Sequence, residues 1–138
     1  MLDYVNALVL NAVGEALVFE VEKPGSGVYW QLLHRTLQPK EDPFTAVQQQ
    51  LQQMTGFQPS QWAYLGSHAI EASRLFGMGF LFCAQQAVQV AEPAPNCPDV
   101  LTIQWVPLVD LRYGLLDGRI SIMSHALTVS LSLLTILK

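Results

Sequence analysis

The segment from Asp42 to Gly56 constrains this chain more than any other. Asp42 followed by Pro43 is a helix start: a side chain able to cap free amides, then a ring already set at the helical φ. Phe44, Val47, Leu51 and Met54 follow at steps of three and four, which makes an apolar stripe along one face. Gly56 supplies the left-handed residue that closes a helix. Gln48, Gln49, Gln52 and Gln53 occupy the remaining faces, and no charged residue occurs past the cap. A helix with one apolar stripe must bury it against a sheet or another helix, so the segment predicts a layered fold.

The substitution of glutamine for charge extends beyond this helix. Residues 43–70, a run of 28, contain no Asp, Glu, Lys or Arg, and residues 75–91 form a second such run. Only 13% of the chain is charged, against about a quarter in an average domain. With 51% hydrophobic residues, disorder is excluded. The net charge of −4 counts against a nucleic-acid partner, which needs a basic face. The length of 138 residues suits a single domain, residues 1–138. Cys83 and Cys97 are too few for a disulfide framework and lack metal-binding spacing, so they read as free thiols of a reducing compartment. The start Met1-Leu2-Asp3-Tyr4 has no basic leader. A cytoplasmic location is the resulting expectation.

Around the helix the pattern is mostly strand. Residues 4–10 are apolar and read as a buried strand, and residues 16–22 alternate in the manner of a hairpin partner. Residues 28–33 predict a short strand, followed by a polar loop over 34–42. Residues 62–70 and 75–90 predict two strands around a turn at 71–74, with Gly77 and Gly79 marking a bulge or close backbone approach. A proline-rich loop precedes a strand over 100–106, and residues 107–116 predict a short helix ended by Asp117-Gly118. The order of elements predicts an α+β domain, an α/β/α sandwich with a mixed β-sheet flanked by helices.

The last apolar run, residues 120–137, requires a membrane check. Ser121, His125, Thr128, Ser132 and Thr135 recur at helical spacing and place a polar stripe on one face. A lipid-spanning helix does not need that stripe, so the run predicts a largely buried terminal helix and no membrane partner. A membrane-associated adaptor using this helix is the minor alternative. The low charge and this apolar helix together point to self-association as a homodimer.

The residues from Trp30 to Phe57 read WQLLHRTLQPKEDPFTAVQQQLQQMTGF. Their spacing resembles the signature of the Nudix (MutT-like) hydrolase family, G-x5-E-x7-R-E-U-x-E-E-x-G-U, which usually follows a strand ending W-x-L-P-G-G. Gly56-Phe57 matches the closing pair, Leu51 the inner aliphatic position, Glu41 the first glutamate, and Trp30 and Leu32 the preceding strand. The opening hairpin, the late strand running into a short helix at residues 103–108 and the final helix also resemble the family plan. The resemblance implies a Nudix-like fold and a pyrophosphohydrolase ancestry that uses Mg²⁺ or Mn²⁺ held by helix carboxylates.

The chain departs from that pattern at the residues of the chemistry. Leu33, His34 and Arg35 replace the proline and two glycines. Gln49 stands at the arginine position, Gln50 at the glutamate beside it, and Gln53 and Met54 at the later glutamate pair. Glutamine keeps the shape of glutamate and loses its charge, and a thioether is a poor ligand for a hard cation. These degenerate box positions predict no metal at the usual site, no cofactor and no family activity. A ligand-binding or protein-interaction module is then the expected role, with a nucleotide-like small molecule as one partner and His34, Arg35, Gln50 and Gln53 as cleft candidates. Gln49, Gln50 and Gln53 are expected to hydrogen-bond one another or the loop. The alternative is a divergent hydrolase of a nucleoside diphosphate linked to another group, with metal ligands relocated to carboxylates such as Glu71, Glu92 or Asp99. His68 and His125 read as structural histidines. Ser73 lacks a nucleophile context. Trp30, Trp62 and Trp105 could pack in the core or line a base-stacking cleft.

Overall fold

The computed structural model describes residues 2–69, 72, 77–94 and 102–137. Strand β1 (Tyr4–Asn11) runs through the centre, buried on both faces from Val5 to Leu10, as its sequence, apolar there except for Asn6, leads one to expect. It pairs antiparallel with β4 (Leu33–Thr36) and parallel with β7 (Met78–Gln89), and β6 (Gln61–Ala69) completes this mixed sheet on the far side of β7. A second, antiparallel group sets β2 (Ala16–Lys23) between β3 (Gly27–Gln31) and β8 (Thr102–Val106). Leu10 opposite Ala16 joins the two groups. The short β5 (Phe57–Gln58) pairs with the end of β7.

Period-two alternation sends each strand's side chains into two cores. Val5, Ala7, Val9, Leu17, Phe19 and Leu33 pack with Val47 and Leu51 of helix α1 (Pro43–Thr55). Leu8, Leu10, Val18, Leu32 and Cys83 pack with Leu111 of α2 (Leu108–Asp117) and Val129 of α3 (Met123–Leu131). The result is helix, sheet, helix: the expected α+β sandwich around a mixed sheet.

Helix α1 begins as its sequence predicts. Asp42 accepts from the Thr45 amide at 2.9 Å, and Gly56 closes the helix at φ 76°. The backbone amide and hydroxyl of Thr45 hold the Asp42 carboxyl below its usual pKa. Gly77 and Gly79 are sites of close approach, as expected: a Cβ at Gly79 would enter the Tyr4 ring, and one at Gly77 would meet the Leu2 carbonyl. The register is irregular at two other places: at Gly66 of β6 (φ 102°), between Tyr64 and Gly66, and in β7 between Ala84 and Ala87, where Gln86 has φ 59°.

Two expectations need correction. The strand over 28–33 breaks at Leu32, and the predicted loop over 34–42 opens with strand: β4 runs Leu33–Thr36. The cause is nonlocal, since the Leu32 amide is taken by His125 from α3 at 3.1 Å. The second correction concerns the terminal helix. It changes to a π-helical turn at Ser132–Ile136, and the middle of its polar stripe faces inward while Ser121 and Thr135 at the ends are exposed. His125, Thr128 and Ser132 are buried, whereas Met123 and Leu134 are 86% and 73% exposed. Thr128 and Ser132 tolerate burial by donating to the carbonyls four residues back, Ser124 and Thr128. Among the described residues, no helix is long and apolar enough to cross a membrane. The predicted turn at 71–74 and Cys97 fall almost wholly outside the described residues; Cys83 is a buried free thiol whose pKa burial raises.

Leu51 is fully buried where α1 meets the sheet. Leu51→Ala is expected to lower stability by about 2–5 kcal/mol through lost transfer energy and a cavity, measured as a shift in the urea midpoint at unchanged slope.

Candidate functional site

The face that the sequence marks for chemistry is built by β4, the loop after it and α1. Arg35, on the α1 side of β4, donates to Glu41 at 2.6 Å and reaches the Ala46 carbonyl at 3.5 Å. Glu41 accepts from the Gln38 amide through its other oxygen at 3.0 Å. Both side chains are about three-quarters buried, at 26% and 19% exposure. The one carboxylate at a box position is therefore engaged at both oxygens. Sequence spacing does not show this pair, because the contact depends on how the loop folds back onto β4.

His34, the other residue in place of the glycine turn, points away from Arg35. Successive residues of a strand face opposite sides, and the His34 ring lies beside His125, 5.1 Å between centroids, under α3. His34 and Arg35 thus cannot grip one anion together. His125 is neutral, its pKa pushed down to about 3 by burial first and by the charge of His34 second. His68 accepts a similarly local role, with Nε2 3.3 Å from the Leu65 carbonyl.

On α1 the box glutamines divide. Gln50 donates its amide to the Met54 sulfur at 3.2 Å, and both are half-buried. Gln49 and Gln53 are exposed and, with Gln52, line an open depression of about 400 Å³. The expected hydrogen bonding among Gln49, Gln50 and Gln53 is not the arrangement found among the described residues. The opposite wall of the depression is Ala91, Glu92 and Ala94. This wall is fixed by main-chain bonds: the Gly56 carbonyl accepts from Val90 and Ala91, and the Gln53 carbonyl from Ala94 at 2.8 Å. Sequence reasoning named Glu92 as a carboxylate for the alternative reading but did not place it here, and it missed Gln52, Ala91 and Ala94 as lining. The wall's signal was Gly56, which serves both as helix terminator and as the point of closest approach, since a Cβ there would overlap the Ala91 carbonyl.

The three tryptophans occupy three separate places. Trp62 packs edge-on to Phe44 and Phe82, and Trp105 lies 4.9 Å from Phe57. Trp30 lies under the Arg119 guanidinium at 4.1 Å. Among the described residues, no three His, Cys, Asp or Glu side chains gather as a metal-binding group. Glu71, Ser73 and Asp99 lie outside the described residues.

The sequence matches no protein-family model and no curated protein. Solved structures do match. An ADP compounds hydrolase superposes with TM-score 0.75 at 15% identity, over 94% of this chain and 69% of that one. A NUDIX hydrolase from Nitrosomonas europaea gives 0.66 at 16%, over 96% and 88%. A MutT, from a study of those of the psychrophile fish pathogen Aliivibrio salmonicida and the mesophile Vibrio cholerae, gives 0.60 at 12%, over 81% and 84%. The fold is that of the Nudix hydrolases.

Gly56→Ala is expected to push the 90–94 segment off α1 and to cost more than about 1 kcal/mol, because it combines a positive φ with a backbone overlap. Faster amide exchange at Val90, Ala91 and Ala94 than in the native chain is the measurement.

Proposed function

We propose that this chain is a Nudix-fold domain without metal-dependent pyrophosphohydrolase chemistry, acting as a ligand-binding or protein-interaction module. The observation that carries the reading is the state of the box: Glu41 is spent on Arg35, and Gln50 on Met54. A magnesium site needs carboxylate charge, because the ion gives up its water reluctantly. The residues present do not fit Mg²⁺ or Mn²⁺. The site has become neutral without leaving a stranded charge, since Arg35 neutralises Glu41. The solved neighbours include an ADP compounds hydrolase, which supports a nucleotide-like molecule as the small ligand. The depression along Gln49, Gln52 and Gln53 is the place for it.

A relocated-ligand hydrolase is the second reading, and one observation favours it: Glu92 faces the same depression as Gln49 and Gln53. Titration calorimetry with Mg²⁺ and Mn²⁺, with a panel of ADP-ribose and nucleotides assayed chromatographically for cleavage to monophosphates, separates the two. No metal-dependent turnover is expected. Turnover abolished by Glu92→Gln or Glu41→Gln would establish the hydrolase instead. Conversely, Gln49→Arg, Gln50→Glu, Gln53→Glu and Met54→Glu made together are expected to create measurable Mg²⁺ affinity.

The chain's partner includes a second copy of itself. The support is the outward face of α3 and the π-helical turn after it, where Met123, Leu127 and Leu134 are exposed and no Asp, Glu, Lys or Arg occurs from 120 to 137. Light scattering is expected to give a dimer mass, reduced to monomer by Met123→Glu with Leu134→Glu; a monomer at high concentration in the native chain removes the claim.

A further inference from the structure

The junction between β3 and β4 is held by two histidines, neither of which belongs to the glutamine-lined face. The Leu32 amide donates to His125 Nδ1 at 3.1 Å, and the Leu32 carbonyl lies 3.0 Å from His34 Nδ1. Leu32 is the residue between the two strands, so its amide has no place in either ladder. His125 supplies the missing acceptor from α3, in a buried position where an unpaired amide would be costly. To accept, His125 Nδ1 must be without a proton, which assigns the neutral tautomer with hydrogen on Nε2.

We propose that the His125–Leu32 contact is an acid-sensitive latch on the C-terminal helix: a proton taken from solvent at His125 Nδ1 turns the acceptor into a second donor and frees α3 from the β3–β4 junction. The geometry alone requires the opposition, because two N–H groups would face each other across a buried contact. The surroundings offer the imidazolium nothing. Helix α3 has no charged residue, and the strands it packs against, β1 and β7, carry only Tyr4 and the buried Cys83 as titratable groups. On this side β4 adds a second histidine, His34, while Arg35 lies on the opposite side against Glu41 and α1, and β3 adds Tyr29. On and after α2, Arg112 and Tyr113 are exposed; Asp117 is paired with Arg119, and the Arg119 guanidinium also reaches the Asp110 carbonyl. Asn6, directly opposite His34 in the β1–β4 register, is buried with its amide nitrogen unpartnered, which adds another donor to that face.

The sign follows from the two states. Once α3 is released, His125 regains its ordinary pKa of 6.5; docked, it is held down near 3. The released form therefore binds a proton through the interval between these values while the docked form does not. The latch is at full strength above pH 6.5 and weakens steadily as the pH falls toward 3. Opening at pH 5 is expected to be on the order of 30-fold more frequent than at pH 7.5.

Amide exchange of the whole chain at pH 7.5 and pH 5, corrected for intrinsic rates, reads this directly at Leu32 and along α3. Loss of protection on that scale is expected in the native chain and in His34→Gln. His125→Asn, whose amide oxygen can accept from Leu32 and cannot titrate, is expected to show none. Equal pH dependence in native and His125→Asn proteins, or flat protection in the native chain, would overturn the latch. Nitrogen chemical shifts of the native imidazoles decide the matter if His125→Asn fails to fold. A bare Nδ1 on His125 at pH 7.5, titrating only below pH 5, is required; a protonated Nδ1 or titration near 6.5 refutes the proposal.

Discussion

Strand β1 is the constraint on which the other elements depend. It is buried on both faces, so it must have a full layer on each side and a partner along each edge. Its odd-numbered side chains need α1, and its even-numbered ones need α2 and α3. Its parallel partner β7 can be reached only by a long connection, and α1 and β6 lie within that connection. The position of α1 relative to β4, and with it the whole box face, follows from these requirements. That is why the Nudix arrangement can be shared with solved structures at only 12–16% identity.

Most of the architecture was legible because it is written in local patterns. The largely apolar run of β1, the alternation of β2 and the Asp-Pro start and Gly56 stop of α1 each report short-range physics. What was illegible depends on contacts across the chain. Nothing near Leu32 announces that a histidine 93 residues later will take its amide and divide one strand into two. The same limit applied to the site. Spacing identified Glu41, Gln49, Gln50, Gln53 and Met54 as the box positions, but the Arg35–Glu41 pair and the wall from Ala91 to Ala94 required the folded loop. His34 and Arg35 are adjacent in sequence, and a loop reading placed them together; once β4 is recognised as strand, pleating alone puts them on opposite sides.

The ion pair of Arg35 with Glu41 keeps a largely buried carboxylate compensated beside α1. A lone carboxylate at this largely buried position would carry a desolvation cost. An arginine from the adjacent strand provides two contacts, one to the carboxylate and one to the Ala46 carbonyl of α1. The pair thus ties the box loop and the helix to the sheet, a task that fits its burial better than ligand binding would. Partial exposure keeps its contribution small, as for most such pairs. The depression that remains on α1 is lined by amides and one carboxylate, a surface suited to hydrogen bonding more than to binding a diphosphate by charge.

The C-terminal helix buries His125, Thr128 and Ser132 beside Val129, and leaves Met123 and Leu134 outside. Each inward polar group has a specific reason to be there. Thr128 and Ser132 close on their own helix, and His125 closes on Leu32. Apolar packing alone would hold α3 with little dependence on solution conditions. A buried imidazole that must stay neutral makes the same docking depend on protons. The outward leucines then acquire a consequence: a helix that docks through a titratable contact also controls when the apolar surface beneath it, including Leu8, Leu10 and Cys83, is covered. Helix attachment and apolar exposure are therefore one equilibrium in this chain, and His125 is the side chain through which pH enters it.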